Sequence, residues 1–249
     1  MPEAAPGRPR SIALDGPAAA GKTTVGRLLA ERLGIRWLDT GVLYRVVTAA
    51  ALRAGIAPEN EPALMDLLAR RPLRIQARTG GAMDLQVTLG GVDMDEALRD
   101  TTIDANVSTV ARHQDLRAVL LEPQRRVARE HPVIMLGRDI GTVVLPDADL
   151  KLYLDASAEA RARRRLRERL ARAEPATFAQ VLAETVARDA KDQGRAVAPL
   201  AIAATAVVVA TDRCDTAGVV AHVLTLVERW PDPLTTGGGL APCGVALPD

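Results

Sequence analysis

The eight residues from Gly16 to Thr23 read G-P-A-A-A-G-K-T and follow the apolar run Ser11-Ile12-Ala13-Leu14. Glycine, four residues, then Gly-Lys-Thr is the spacing of a phosphate-binding loop between a strand and a helix. The N–H groups of such a loop converge on phosphate oxygens. Gly16, Pro17, Ala18, Ala19, Ala20 and Gly21 supply that backbone here, Lys22 can reach the outer phosphates, and the Thr23 hydroxyl can ligate Mg²⁺. The N-terminus of the following helix adds partial positive charge. The chain is expected to bind a nucleoside triphosphate. The loop alone does not separate a kinase from an ATPase or a GTPase.

Three further segments carry groups suited to phosphoryl transfer. Asp39-Thr40-Gly41-Val42-Leu43-Tyr44-Arg45 opens a helix. Gly137-Arg138-Asp139-Ile140-Gly141-Thr142 follows an apolar strand. R-D-A-K-D-Q-G-R, from Arg188 to Arg195, precedes Ala196-Val197-Ala198-Pro199-Leu200. Transfer spreads negative charge over the migrating group and its bridging oxygens. A monophosphate acceptor adds about two more charges. Bidentate guanidiniums neutralise and align such oxygens. A closing arm would exclude water as a competing acceptor. Read singly, each arginine also fits a solvated surface, Asp139 a helix cap, Tyr44 a core residue, and Ser108 carries no signal.

The elements that must hold these groups are legible in outline. Strands are expected at Ser11–Asp15, Ile35–Asp39, Pro132–Leu136, Leu150–Asp155 and Ala206–Ala210. Helices are expected after the loop, from Gly41 to about Gly55, over Pro58–Arg71, and twice before Pro132, the second with Leu116, Val119, Leu120 and Val127 on one face. Others are expected over Ala158–Ala173, Phe178–Asp192 and around Val220–Val227. Leu73–Ala77 and Leu85–Leu89 alternate about Gly80-Gly81 and read as a small antiparallel insert. The alternation of strand and helix implies an α/β fold, a doubly wound parallel sheet of about five strands with helices on both faces. Ligands of such a sheet bind at the carboxyl ends of its strands.

At 249 residues with 48% apolar content, the chain can bury one substantial core. Its net charge of +1 gives no global field for nucleic acid or an acidic membrane. Aromatic residues make up 2%, which argues against stacking on single strands. The two cysteines, Cys214 and Cys243, and the histidines His113, His131 and His222 lack metal-ligand spacing. No signal peptide or spanning segment is visible, so a cytoplasmic protein is expected. The Arg-rich run from Ala160 to Arg172 reads as a charged helix, with Arg161 or Arg165 best placed to neutralise a triphosphate.

From about Arg10 to Arg229 the chain resembles the bacterial cytidylate (CMP/dCMP) kinases, a branch of the P-loop nucleoside monophosphate kinases. D-T-G-V-L-Y-R, G-R-D-I-G-T-V-V-L-P-D-A and R-A-V-A-P-L carry the resemblance. It implies an ATP- and Mg²⁺-dependent monomer that phosphorylates CMP or dCMP. It implies that Gly16 to Thr24 hold ATP, with Thr24 added to the loop. It assigns Arg45, Arg138 and Arg195 to the acceptor phosphate, and Ser108, Arg117 and Asp139 to the cytosine edge. It puts Arg188 and Asp192 near the pentose and Thr40 and Tyr44 along the monophosphate site. Lys22, Arg138, Arg188 and Arg195 are then the catalytic set. It implies a kinase domain over 10–230, which leaves residues 1–9 as a flexible start; residues 231–249, rich in Gly and Pro, read as a disordered tail. Within that domain it implies a monophosphate-binding part at about 40–112 containing the insert, and an Arg-rich helical lid at about 158–196. One departure stands out: the family commonly carries Asp or Glu before Gly-Arg-Asp, and here it is Leu136. Asp15 or Asp139 could substitute. A kinase for another acceptor such as UMP, or a catalytically silent nucleotide-binding module, stays open at this point.

Overall fold

The computed structural model describes residues 7–78, 83–93, 100–194 and 197–231. Five strands, β1 (Ser11–Asp15), β2 (Arg36–Asp39), β6 (Val133–Leu136), β7 (Leu150–Asp155) and β8 (Val207–Ala210), form one sheet in the order β2-β6-β1-β7-β8. Every pairing in it is parallel, with Leu14 beside Leu136 on one side and Leu152 on the other. All four residues of β6 are buried, as a strand covered on both faces requires. Alternate residues serve opposite faces. Ile12, Leu14, Ile134 and Leu136 pack with α1 (Lys22–Leu33) and α8 (Thr216–Glu228). Ala13, Val133 and Met135 pack with α2 (Gly41–Arg53), α3 (Glu61–Arg70), α4 (Thr101–Val110) and α5 (Gln114–Glu130). The expected sheet, strand count and two helical layers are all present.

The insert is a three-stranded antiparallel sheet, β3 (Leu73–Ala77), β4 (Leu85–Leu89) and β5 (Val92–Asp93). Leu85, Val87 and Leu89 drive its apolar face into the same cluster as α2 and α3. The Trp37 N–H donates to Met83 O at 3.1 Å, which ties the insert to the edge strand β2. Gly80-Gly81 lies outside the described residues, as do 1–6 and 232–249, on which the expected flexible start and tail fall.

Two helices carry the Arg-rich arm, α6 (Ala158–Leu170) and α7 (Phe178–Gln193). Ser157 caps the first by accepting from Ala160 N–H at 3.2 Å. Thr177 and Gln180 form a reciprocal box at the start of the second. One expectation fails on α5: Val119 is 47% exposed. The buried stripe runs through Leu116, Leu120, Gln124 and Val127. At about 100° per residue, position 119 falls off its edge. Among the described residues no helix is long and apolar enough to cross a membrane.

Candidate active site

The phosphate loop leaves β1 at Asp15 and enters α1 at Lys22. Gly16 has φ +146°, and a Cβ there would lie 2.2 Å from Leu154 O of β7. Only glycine lets the loop pass so close to the next strand. Gly21 sits at φ +96°, and no side chain caps the helix behind it. The first N–H groups of α1 therefore face the loop mouth without a side-chain partner, which is the geometry an anion needs. Lys22 is buried and curls back, donating to Gly16 O at 2.8 Å and Pro17 O at 2.7 Å. Burial, with the nearby Arg138 charge, holds its pKa well below the usual lysine range. A phosphate would restore a full counter-charge to it.

A second loop shares this edge. The Gly137 N–H donates to Leu14 O at 3.1 Å, so the chain after β6 runs directly beside β1. Asp15 fixes the turn beyond it by accepting from Ile140 N–H at 2.8 Å and Gly141 N–H at 2.7 Å. Burial raises the Asp15 carboxyl to about 6, with the two N–H bonds opposing the shift and Asp139 adding to it. Thr40 is buried and donates to Leu136 O at 2.9 Å, fastening the start of α2 to β6.

Around this edge the guanidiniums converge. Arg138 Nε donates to Asp192 Oδ2 of α7 at 3.2 Å. Arg188, one turn earlier on α7, has a buried Nε with no hydrogen-bond partner. Burial, then the adjacent Arg138, lowers its pKa to about 10, while Asp192 and Asp104 oppose the shift. Arg45 also acts on it, so Arg45, Arg138 and Arg188 share one electrostatic neighbourhood. Deeper in, Arg117 pairs with Asp139, donates to Ala111 O at 3.0 Å, and lies 5.3 Å from the centroid of the Tyr44 ring. Both members of that ion pair are buried.

The structure thus brings together Lys22, Thr40, Tyr44, Arg45, Arg117, Arg138, Asp139, Arg188 and Asp192. Ser108 sits partly buried on α4, and no hydrogen bond joins it to Arg117 or Asp139. Arg195 lies outside the described residues. Of the two candidates on α6, Arg161 meets the phosphate loop, donating to Ala18 O at 3.4 Å and to both oxygens of Asp189 at 2.9 and 2.5 Å. Arg165 instead turns toward α4 and pairs with Asp104.

Sequence reasoning gave no role of its own to Asp104, Asp189 or Asp39, and offered Asp15 only as a replacement for the acid missing at Leu136. Asp104 bridges Arg45 and Arg165. Burial pushes its carboxyl up, but Arg45, Arg165 and Arg188 outweigh this and hold it below the usual carboxylate range. Asp189 orders Arg161, and Asp15 orders the loop after β6. Asp39 accepts from the Thr23 hydroxyl at 2.8 Å. Asp104 sits in a helix among residues with no motif spacing, so the sequence carried no signal for it; Asp189 lies within R-D-A-K-D-Q-G-R, but nothing local points from it to Arg161. Asp15 and Asp39 did carry one, as the acidic residues that end β1 and β2.

A profile of the cytidylate kinase family matches residues 12–229. The chain belongs to that family. A cytidylate kinase of Streptococcus thermophilus (strain CNRZ 1066) is 41% identical over 212 residues, 85% of this chain and 93% of that protein. One from Geobacter sulfurreducens is 44% identical over 189 residues, 76% of this chain and 80% of that protein. Among solved structures, a shikimate kinase from Bacteroides thetaiotaomicron aligns over 88% of this chain and 98% of its own at 12% identity, with a TM-score of 0.45.

Proposed function

We propose that this protein uses ATP to phosphorylate CMP and dCMP to their diphosphates. The observation that carries the reading is the unpartnered, buried Arg188 Nε beside Arg138 and Arg45, on the sheet edge that also holds the phosphate loop. A buried guanidinium N–H with no acceptor is costly unless a bound group supplies one. A nucleotide phosphate has the charge and the oxygens to do so.

In this reading residues 16–24 hold the donor triphosphate, and Lys22 leaves the loop carbonyls for the outer phosphates. Arg45, Arg138 and Arg195 grip the acceptor phosphate, with Arg188 and Asp192 beside the pentose. Thr40 and Tyr44 line that side, while Ser108, Arg117 and Asp139 face the base. A carboxylate accepting from the exocyclic amine of cytosine rejects uracil, whose carbonyl would be left unpaired. No group is placed to act as a nucleophile. The chain's contribution is alignment and charge stabilisation. Residues 40–112 then form the acceptor half and 158–196 the lid, within one kinase domain over 10–230.

The donor set fits Mg²⁺: the Thr23 hydroxyl and the Asp39 carboxylate are hard oxygens at the loop mouth, neither of them fully buried. Bound there, the ion would draw charge from the β- and γ-phosphate oxygens. The protein is then a cytoplasmic monomer acting on free nucleotides, and a net charge of +1 gives it no global field for nucleic acid or membrane. A coupled assay with CMP, dCMP, UMP and AMP at millimolar ATP tests the assignment. Turnover of CMP or dCMP is expected, and turnover of UMP or AMP alone would replace it.

A further inference from the structure

Four carboxylates lie at or just past the strand ends around the phosphate loop, and three of them are committed elsewhere or are not the acceptor of the loop hydroxyl. Both oxygens of Asp15 accept N–H groups of the Ile140–Gly141 turn. Asp139 is buried against Arg117. Asp155 ends β7 beside the loop at Gly16, but it lies across β1 from β2 and the Thr23 hydroxyl donates to Asp39 instead. The end of β6 itself has no carboxylate. Leu136 is 0% exposed and packs so tightly on α1 that a Cβ at Gly26 would lie 2.5 Å from its Cδ2. The space beneath the phosphate loop is filled by hydrocarbon.

Asp39 is the fourth. It is the register partner of Leu136 on the neighbouring strand. One oxygen accepts Gly41 N–H at 3.0 Å and steadies the carboxylate at the start of α2. The other accepts the Thr23 hydroxyl at 2.8 Å. Its charge also reaches Lys22, where it is the largest of the influences opposing the lowering by burial and Arg138. Both Thr23 and Asp39 keep access to solvent. A hydroxyl that donates its only proton to a carboxylate presents its two lone pairs elsewhere. Those lone pairs are what a hard cation takes up, and the adjacent negative charge favours that cation.

We propose that Asp39 is the metal-positioning residue of this protein. It accepts the Thr23 proton, leaves that oxygen's lone pairs for Mg²⁺, and supplies the negative charge that the end of β6 lacks. The inference rests on the reading of the loop as an ATP site and assigns the carboxylate that readies it for the metal.

The test is Mn²⁺ titration followed by electron paramagnetic resonance, with a non-hydrolysable ATP analogue bound to the full chain. Asp39→Asn should weaken Mn²⁺ at least tenfold. Affinity for the analogue measured in EDTA should change less than twofold. Asp39→Glu should recover part of the loss. On a Thr23→Ala background, Asp39→Asn should add little, because the carboxylate acts through that hydroxyl. Asp39→Ser, which keeps an acceptor for Gly41 N–H, replaces the Asn variant if the latter melts early. Mn²⁺ affinity within twofold of wild type in a folded Asp39→Asn or Asp39→Ser protein overturns the proposal, as do fully additive losses with Thr23→Ala. None of these readouts needs turnover. Failure to make CDP would therefore sink the kinase reading alone, while unchanged Mn²⁺ affinity in an active kinase would sink only the role of Asp39.

Discussion

The phosphate loop and the arginine cluster lie along the same sheet edge, but they are made of different material. The loop is backbone: two glycines at positive φ, an uncapped helix start, and a lysine folded onto its own carbonyls. Its geometry comes from about eight consecutive residues. The cluster is side chain. Arg45, Arg117, Arg138 and Arg161 come from four separate segments, and a carboxylate from yet another segment or helix turn holds each one: Asp104, Asp139, Asp192 and Asp189. Backbone dipoles are fixed when the fold forms and tolerate little change. A charge network can be retuned one residue at a time, and each guanidinium is restrained before any nucleotide arrives.

The contrast sets the scale of the expected effects. Lys22→Ala should cost the most, roughly 10²- to 10³-fold in kcat, since it removes the one cation the loop can aim at the transferring group. Steady-state kinetics would show this, and a loss under fivefold would mean the loop works by backbone alone. Gly16→Ala should destabilise the protein by about 2–4 kcal/mol in urea melts, because a methyl group cannot share space with Leu154 O. A neutral outcome would show that the loop can shift as a unit.

Asp15 gives a pH signature to the junction of the two regions. Its folded pKa of about 6 lies above the ordinary 3.8, so the native state holds the proton more tightly than the unfolded chain. The stability it contributes is complete below pH 4 and is lost as pH rises through 6. Against Asp15→Asn, which does not titrate, wild-type stability should fall by about 2–3 kcal/mol between pH 4 and pH 7. A constant gap across that range would show that the two N–H bonds compensate burial in full. The smallest effect belongs to the cluster, where neighbours share the load. Arg138→Ala should lower kcat/KM for CMP at least tenfold, while calorimetric ATP affinity stays within about twofold of wild type. Equal losses in both would merge the two regions into a single unit.

The same contrast explains what could be read from the sequence. Loop, strands and most helices follow from local spacing, so Gly16 to Thr24 and all five parallel strands were legible. The arginines were legible through their motifs, but what holds them was not. Asp104 meets Arg45 across 59 positions of chain, and Asp189 meets Arg161 across 28. No periodicity encodes such meetings. Arg165 illustrates the limit from the other side. It lies one helical turn from Arg161 with the same chemistry, yet it pairs with Asp104 of α4 while Arg161 reaches Ala18 O of the phosphate loop.

The first turn of α6 is where that helix is fastened to the sheet. Arg161 binds Ala156 O and Ala18 O, Arg164 binds Thr211 O at 2.6 Å, and Ser157 N–H reaches Asp212 at 2.9 Å. Further along, α6 is held by side chains of its neighbours: Arg165 pairs with Asp104 of α4, Arg163 lies 5.0 Å from the Phe178 ring centroid, and Arg169 pairs with Glu184 of α7. A triphosphate seated against Ala18 would therefore meet α6 at its anchored root, where Arg161 already joins the loop to Asp189 of α7.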